Sequence, residues 1–159
     1  MSLLFAQLGL VLLLLLAIYG DAVMAEDRTG VAADDPEMIA TINNARMTVK
    51  QFFDAFMNPK KGQTSFLLKV AFVSGDQTEH IWLADLDFSG PKPRGVVANE
   101  PQIKGVRFKQ TVDFDPAHVT DWMYVDNGRL VGGYTTRLLR ERMPPDERKQ
   151  LDARVPYRF

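Results

Sequence analysis

The spacing of apolar residues changes along the chain, and each change marks an element. Ser2 to Tyr19 is an almost unbroken apolar run, interrupted only by Gln7 and Gly9. Further on, Ile39, Ile42, Ala45, Val49, Phe53 and Phe56 recur at spacings of three and four, the stripe of an amphipathic helix. Asp34-Asp35-Pro36-Glu37 marks its start, with an Asp cap, Pro at the first helical position and acid in the first turn. Thr48-Val49-Lys50-Gln51 has capping-box form, so the stripe predicts either one helix or a pair meeting near Met47. Asn58-Pro59 closes it.

After Lys60-Lys61-Gly62 the period becomes two. Phe66, Leu68, Val70 and Phe72 alternate with Leu67, Lys69, Ala71 and Val73, which predicts a strand largely buried on both faces. Ser74-Gly75-Asp76 turns the chain into a partner strand, Thr78 to Phe88. There His80, Trp82, Ala84, Leu86 and Phe88 are expected on one face, with Glu79, Ile81, Leu83, Asp85 and Asp87 on the other. A short strand over Arg94 to Ala98, an alternating segment over Val106 to Phe114 and a strand over Val119 to Val125 follow. Asp126-Asn127-Gly128 is the clearest hairpin turn, because Asn and Gly both tolerate positive φ, and Arg129 to Val131 returns from it. Gly132-Gly133 breaks the strand, Thr135 is expected to cap a short helix over Arg137 to Met143, and Pro144-Pro145-Asp146-Glu147 starts a last helical turn. Strands flanked by helices predict an α+β fold: a mainly antiparallel sheet packed by an N-terminal helix or helix pair, with short C-terminal helices. Ile39, Ile42, Phe53 and Phe56 are expected to pack on a sheet rich in Phe66, Val70, Trp82 and Trp122.

The first apolar run reads differently from the rest. A helix over it would span roughly 27 Å, just short of a bilayer core. Gly20 then breaks it, and Val23-Met24-Ala25 places small residues at a cleavage position, the pattern of a signal peptide. No Lys or Arg precedes the run, so an uncleaved anchor is the alternative. Either way the remainder is expected outside the cytoplasm, periplasmic or secreted. The organisation is thus 1–25 signal peptide, 26–33 flexible leader, 34–151 one domain and 152–159 a tail.

The chain has 159 residues and a formal charge of -1, with 46% hydrophobic and 25% charged residues, the balance of a globular protein. Removing residues 1–25 takes away one acid, Asp21, and no base, and leaves 19 basic against 19 acidic groups. That neutrality argues against nucleic acid as a partner. The absence of cysteine excludes disulfides, thiolate metal sites and thiol catalysis.

Candidate chemistry is sparse. His80 would serve as a general base if a carboxylate from a neighbouring strand oriented it, but Glu79 faces the other way. The alternative is a histidine that hydrogen-bonds across the sheet beside Trp82. An enzyme reading brings His80 and His118 together with Asp85, Asp115 or Asp121, as acid, base or metal ligands of an envelope hydrolase or metal-dependent enzyme. No helical metal motif is present, so neither metal nor cofactor is assigned. Gly132-Gly133-Tyr134-Thr135 lacks the Lys and spacing of a phosphate loop and reads as a strand-to-helix corner. Ser65, Ser74 and Ser89 sit in no nucleophile elbow. Trp122 is expected in the core, whereas Tyr124, Tyr134 and Arg137 are types that anchor interfaces and are expected at the surface. The favoured function is a non-catalytic binding domain in the cell envelope. Its partner would be an unidentified protein or envelope component, with no membrane contact once the signal is cleaved.

Several segments together resemble the YegJ-like bacterial family of domains of unknown function. They are Asp34 to Met38, Glu79-His80-Ile81-Trp82-Leu83, Asn99-Glu100-Pro101, Asp121-Trp122-Met123-Tyr124, Gly128 with Gly132 to Thr135, and Arg142-Met143-Pro144-Pro145. The resemblance implies a small α+β domain, often exported, and no established activity. A looser similarity around Asp-Trp-Met-Tyr and Gly-Gly-Tyr is to immunity-protein-type domains, which implies binding of a toxin.

Overall fold

A computed structural model describes residues 35–159. The apolar run, the cleavage position after Ala25, the leader over 26–33 and Asp34 lie outside the described residues.

Helix α1 (Pro36–Met57) is one continuous element, not a pair. Asp35 caps it, its carboxylate accepting from the Glu37 and Met38 amides at 3.0 and 3.3 Å. Thr48 does not start a second helix. Its hydroxyl bonds back to the Asn44 and Ala45 carbonyls, as a mid-helix threonine does. The buried stripe begins later than the spacing suggested: Ala45 and Phe52 are fully buried, while Ile39 is 47% exposed. The first turn of α1 lies beside the end of a C-terminal helix, where Arg142 pairs with Asp35 and Glu37, and the fully buried positions begin at Ala45.

Six strands form one antiparallel sheet. They are β1 (Gln63–Ser74), β2 (Gln77–Asp87), β3 (Arg94–Val97), β4 (Thr111–Asp113), β5 (Val119–Asp126) and β6 (Arg129–Gly132), in the order β4-β3-β2-β1-β5-β6. After β4 the chain returns through a 3-10 turn, Pro116–His118, and β5 takes the free edge of β1. The β5–β6 hairpin turns at Asn127 and Gly128 with φ of 47° and 76°, as the Asn-Gly pair requires. Helices α2 (Tyr134–Arg142) and α3 (Pro145–Arg154) complete the α+β fold.

Of the alternating segment Val106 to Phe114, only Thr111–Asp113 is strand. Residues before it turn on Lys109, which has φ of 63°, with a bond from the Gln110 amide to the Arg107 carbonyl. Face assignments along β2 also change. Asp85 has φ of 45° at a register shift between Ala84 and Asp87. This bulge reverses the side-chain alternation, so Leu86 and Phe88 join Ile81 and Leu83 instead of Trp82.

Two cores result. Between α1 and the sheet, Ala45 and Phe52 of the helix pack with Leu68, Val70, Ile81, Leu83, Trp122 and Tyr124. On the opposite face Trp82 packs with Leu67, Met123, Met143, Leu151 and Tyr157. The two tryptophans are therefore on opposite faces, and α1 does not pack on Trp82. The Trp122 indole N–H donates to the Ala45 carbonyl at 2.9 Å, and the Thr48 hydroxyl stands 3.3 Å from the same nitrogen and 2.9 Å from the Tyr134 hydroxyl. Thr48→Val keeps the shape and removes this junction. It is expected to lower stability by about 1 kcal/mol in urea unfolding.

The last residues, read from the sequence as a tail, run along the outer edge of β6. The Leu130 amide donates to the Arg158 carbonyl at 2.8 Å, and Tyr157 is buried.

Candidate functional site

A row of polar side chains crosses the sheet on the Trp82 face, where strand register alone brings them together. Lys69 lies in the middle of β1, opposite Trp82 on one side and Asp121 on the other. Its ammonium stands 5.4 Å from the Trp82 ring centre and 3.4 Å from the Thr135 hydroxyl. Lys69 is 7% exposed and Asp121 is fully buried. Charges so deep persist only when paired and hydrogen-bonded.

Asp121 meets that requirement in full. Its Oδ1 accepts from the Trp122 and Tyr134 amides at 2.7 and 3.1 Å, and its Oδ2 accepts from the Thr135 amide and hydroxyl, both at 2.7 Å. The carboxylate thus caps α2 from a neighbouring strand, where the positive end of the helix dipole favours a negative charge. Thr135 is not the cap. Gly133 occupies that position with φ of 63° and contributes no side chain, while Thr135 lies inside the helix and donates to Asp121. Burial raises the Asp121 carboxyl to about 6, against the lowering effects of Thr135, Lys69 and the Trp122 amide.

The glycine pair makes this approach possible. Gly132 and Gly133 both adopt positive φ, and a Cβ on Gly132 would lie 2.3 Å from the Trp122 carbonyl oxygen. Gly132→Ala is therefore expected to cost more than about 1 kcal/mol, read from the urea midpoint. Near-UV circular dichroism should report a disturbed Trp122.

His80 joins the same face from β2. Its Nδ1 is 2.9 Å from the Thr120 hydroxyl, which itself contacts the Lys69 carbonyl at 3.3 Å. Thr120 reaches that position because the β1–β5 register shifts between Lys69 and Val70. Two of the sequence candidates, His80 and Asp121, are thus brought to one face on either side of β1. The others are placed elsewhere. His118 is exposed at the end of the 3-10 turn, and Asp115 caps that turn by accepting from the Ala117 amide at 2.9 Å. Asp85 is exposed in the β2 bulge. Among the described residues no group of three His, Cys, Asp or Glu side chains is arranged to hold a metal.

Tyr124, Tyr134 and Arg137 do not form the expected open surface. Tyr124 is 5% exposed and stacks on Phe66 and Trp122, with ring centres 5.1 and 6.1 Å away, because β5 is buried on both faces. Tyr134 is half-buried against Trp122 and Thr48. Arg137 turns back, Nε donating to the Gly132 carbonyl at 2.9 Å and a terminal nitrogen to the Leu130 carbonyl at 2.7 Å. Its fork satisfies carbonyls where the chain leaves β6.

Lys69, Thr120 and Thr135 were missed as members of the site. Lys69 carried a signal: it is the single charged residue in a strand whose other residues from Phe66 to Val73 are apolar. Glu79, the neighbour of His80, serves the opposite face, where its oxygens accept from the Gln102 and Ile103 amides at 2.9 and 2.6 Å and hold the loop after β3.

Residues 35–159 match the family described as "Uncharacterized protein conserved in bacteria (DUF2314)". The uncharacterized protein YegJ of Escherichia coli K12 is 32% identical over 123 residues, 77% of this chain and 79% of that protein. A putative ankyrin repeat protein of Neisseria meningitidis serogroup B is 33% identical over 130 residues, 76% of this chain but 51% of its own length, so the match spans about half of that relative. No solved structure matches the chain. The expected resemblance is thus borne out, and the chain belongs to the DUF2314 family of uncharacterized bacterial proteins, together with YegJ.

Proposed function

We propose that this protein is a non-catalytic binding domain that acts outside the cytoplasm. One observation carries the first half: the buried charged group best placed for chemistry, Asp121, has both oxygens taken by four donors of its own fold. A carboxylate so engaged holds α2 on the sheet and is poorly disposed to transfer protons to a substrate. Support for association comes from the relative named a putative ankyrin repeat protein, since ankyrin arrays build extended binding surfaces. The second half rests on the apolar run Ser2 to Tyr19 and the small residues ending at Ala25.

Intact mass of the protein from cell fractions tests location, with a chain starting at Glu26 in the periplasm or medium as the expected result. Capture from envelope extracts, followed by a binding isotherm with the purified partner, tests association. Turnover of a substrate by the purified chain, abolished in His80→Ala, would replace this reading with the enzyme one.

A further inference from the structure

The outer edge of β6 is covered by the chain's own last three residues, and the geometry of that contact is the geometry of peptide recognition. Arg158 pairs in parallel with Arg129, its carbonyl accepting from the Leu130 amide at 2.8 Å and its amide donating to the Gly128 carbonyl at 2.9 Å. Strand alternation then sends Arg158 outward, where it is exposed, and Tyr157 and Phe159 to the same inner side, with ring centres 5.4 Å apart. Tyr157 joins the apolar cluster with Met143, Leu151 and Val155. Phe159 lies beneath the Arg140 guanidinium, 4.6 Å from its centre.

The wall that receives these rings is also braced by an ion pair of its own. Arg140 is held by two bonds to the Asp152 carboxylate, both 2.7 Å, which tie α2 to α3. An open strand edge beside a preformed apolar wall is how strand-adding peptide sites are built: backbone bonds give affinity, alternate side chains give selectivity. We propose that the β6 edge is a binding slot for an extended peptide segment with aromatic residues at alternate positions, closed in this structure by the C-terminus in cis. The proposal deepens the binding-domain reading by naming a surface and a ligand class. Its failure would leave that reading to other surfaces, because envelope capture does not depend on this slot.

The test uses the full chain with Tyr157→Ala and Phe159→Ala together, and a fluorescent peptide of sequence Val155 to Phe159. The folded variant should bind the peptide at about 0.1 mM, whereas wild type should not. A tethered strap acts at an effective concentration on the order of mM and outcompetes it. A peptide carrying the same two alanines should bind neither. A folded variant that ignores the peptide, equal binding by wild type, or equal binding of the alanine peptide would overturn the proposal. So would a wild-type dimer with exchanged C-termini, which would make a second copy the occupant. If the double variant does not fold, amide exchange in wild type decides. Exchange of the Leu130 and Arg158 amides at least about 100-fold faster than Leu68 and Ile81 supports an opening strap. Exchange at the same rate as those core amides overturns it.

Discussion

Asp121→Ala is expected to lower the unfolding free energy by about 3–5 kcal/mol in urea titrations at pH 7, because several buried donors lose one charged acceptor at once. Three amides and one hydroxyl lose their acceptor together, and the favourable charge interaction with Lys69 is lost as well. Loss of the cap should also free the first turn of α2, so amide protection at Tyr134 and Thr135 should fall most. A change within about 0.5 kcal/mol would mean that Asp121 does not hold α2.

The same residue sets a pH dependence of definite sign. Burial raises the Asp121 carboxyl from 3.8 to about 6, so the folded state takes up this proton before the unfolded state does. The resulting stability is fully present below pH 3.8 and is lost as pH rises through about 6. A difference of about two pH units corresponds to at most about 3 kcal/mol. Asp35 and Asp87 act in the opposite sense, since their hydrogen bonds to Arg142 and Ser89 hold both carboxyls at about 2, and their contribution is lost as pH falls below 3.8. Wild type should therefore gain stability from pH 7 to pH 5. Asp121→Asn, which cannot titrate, should show a flatter profile in that window. An unchanged slope in Asp121→Asn would assign the dependence to another group.

Trp82→Ala should cost about 3–5 kcal/mol, the range for emptying a buried aromatic site, and lower the melting temperature by roughly 10–20 °C. Trp82 is fully buried on the face away from α1, and its ring also covers the Lys69 ammonium. Because that face is closed by α2, α3 and the C-terminal residues, hydrogen exchange in the variant should accelerate there more than in α1. A melting temperature equal to wild type would contradict this packing.

Much of this architecture was legible in the residue pattern, because local chemistry specifies it. The cap at Asp35, the period of two through β1, the Asn-Gly turn and the Gly-Gly break are short-range preferences that no tertiary contact had to supply. So was the resemblance that places the chain among the DUF2314 proteins, since its segments occur in order over most of residues 35–159. Periodicity gives the side of a strand only while the strand is regular, which is why the Asp85 bulge returned Leu86 and Phe88 to the α1 face and separated them from Trp82.

The site itself belongs to the tertiary structure. Lys69 and Asp121 are 52 positions apart in the sequence and become neighbours only because β5 pairs with β1. Thr135 could be recognised as a helix-start residue, but not as a donor to a carboxylate on another strand, because a cap supplied from a distance leaves no local spacing. Tyr124 and Arg137 have the composition of an interface. Burial of β5 on both faces and the Leu130 and Gly132 carbonyls that accept from Arg137 turned them inward, and those are properties of the assembled sheet. Sequence by itself determined most of the elements, the fold class and the family. Which face each strand shows, which charges are buried together and what covers the β6 edge were decided by long-range pairing, since register and burial are set only when distant segments meet.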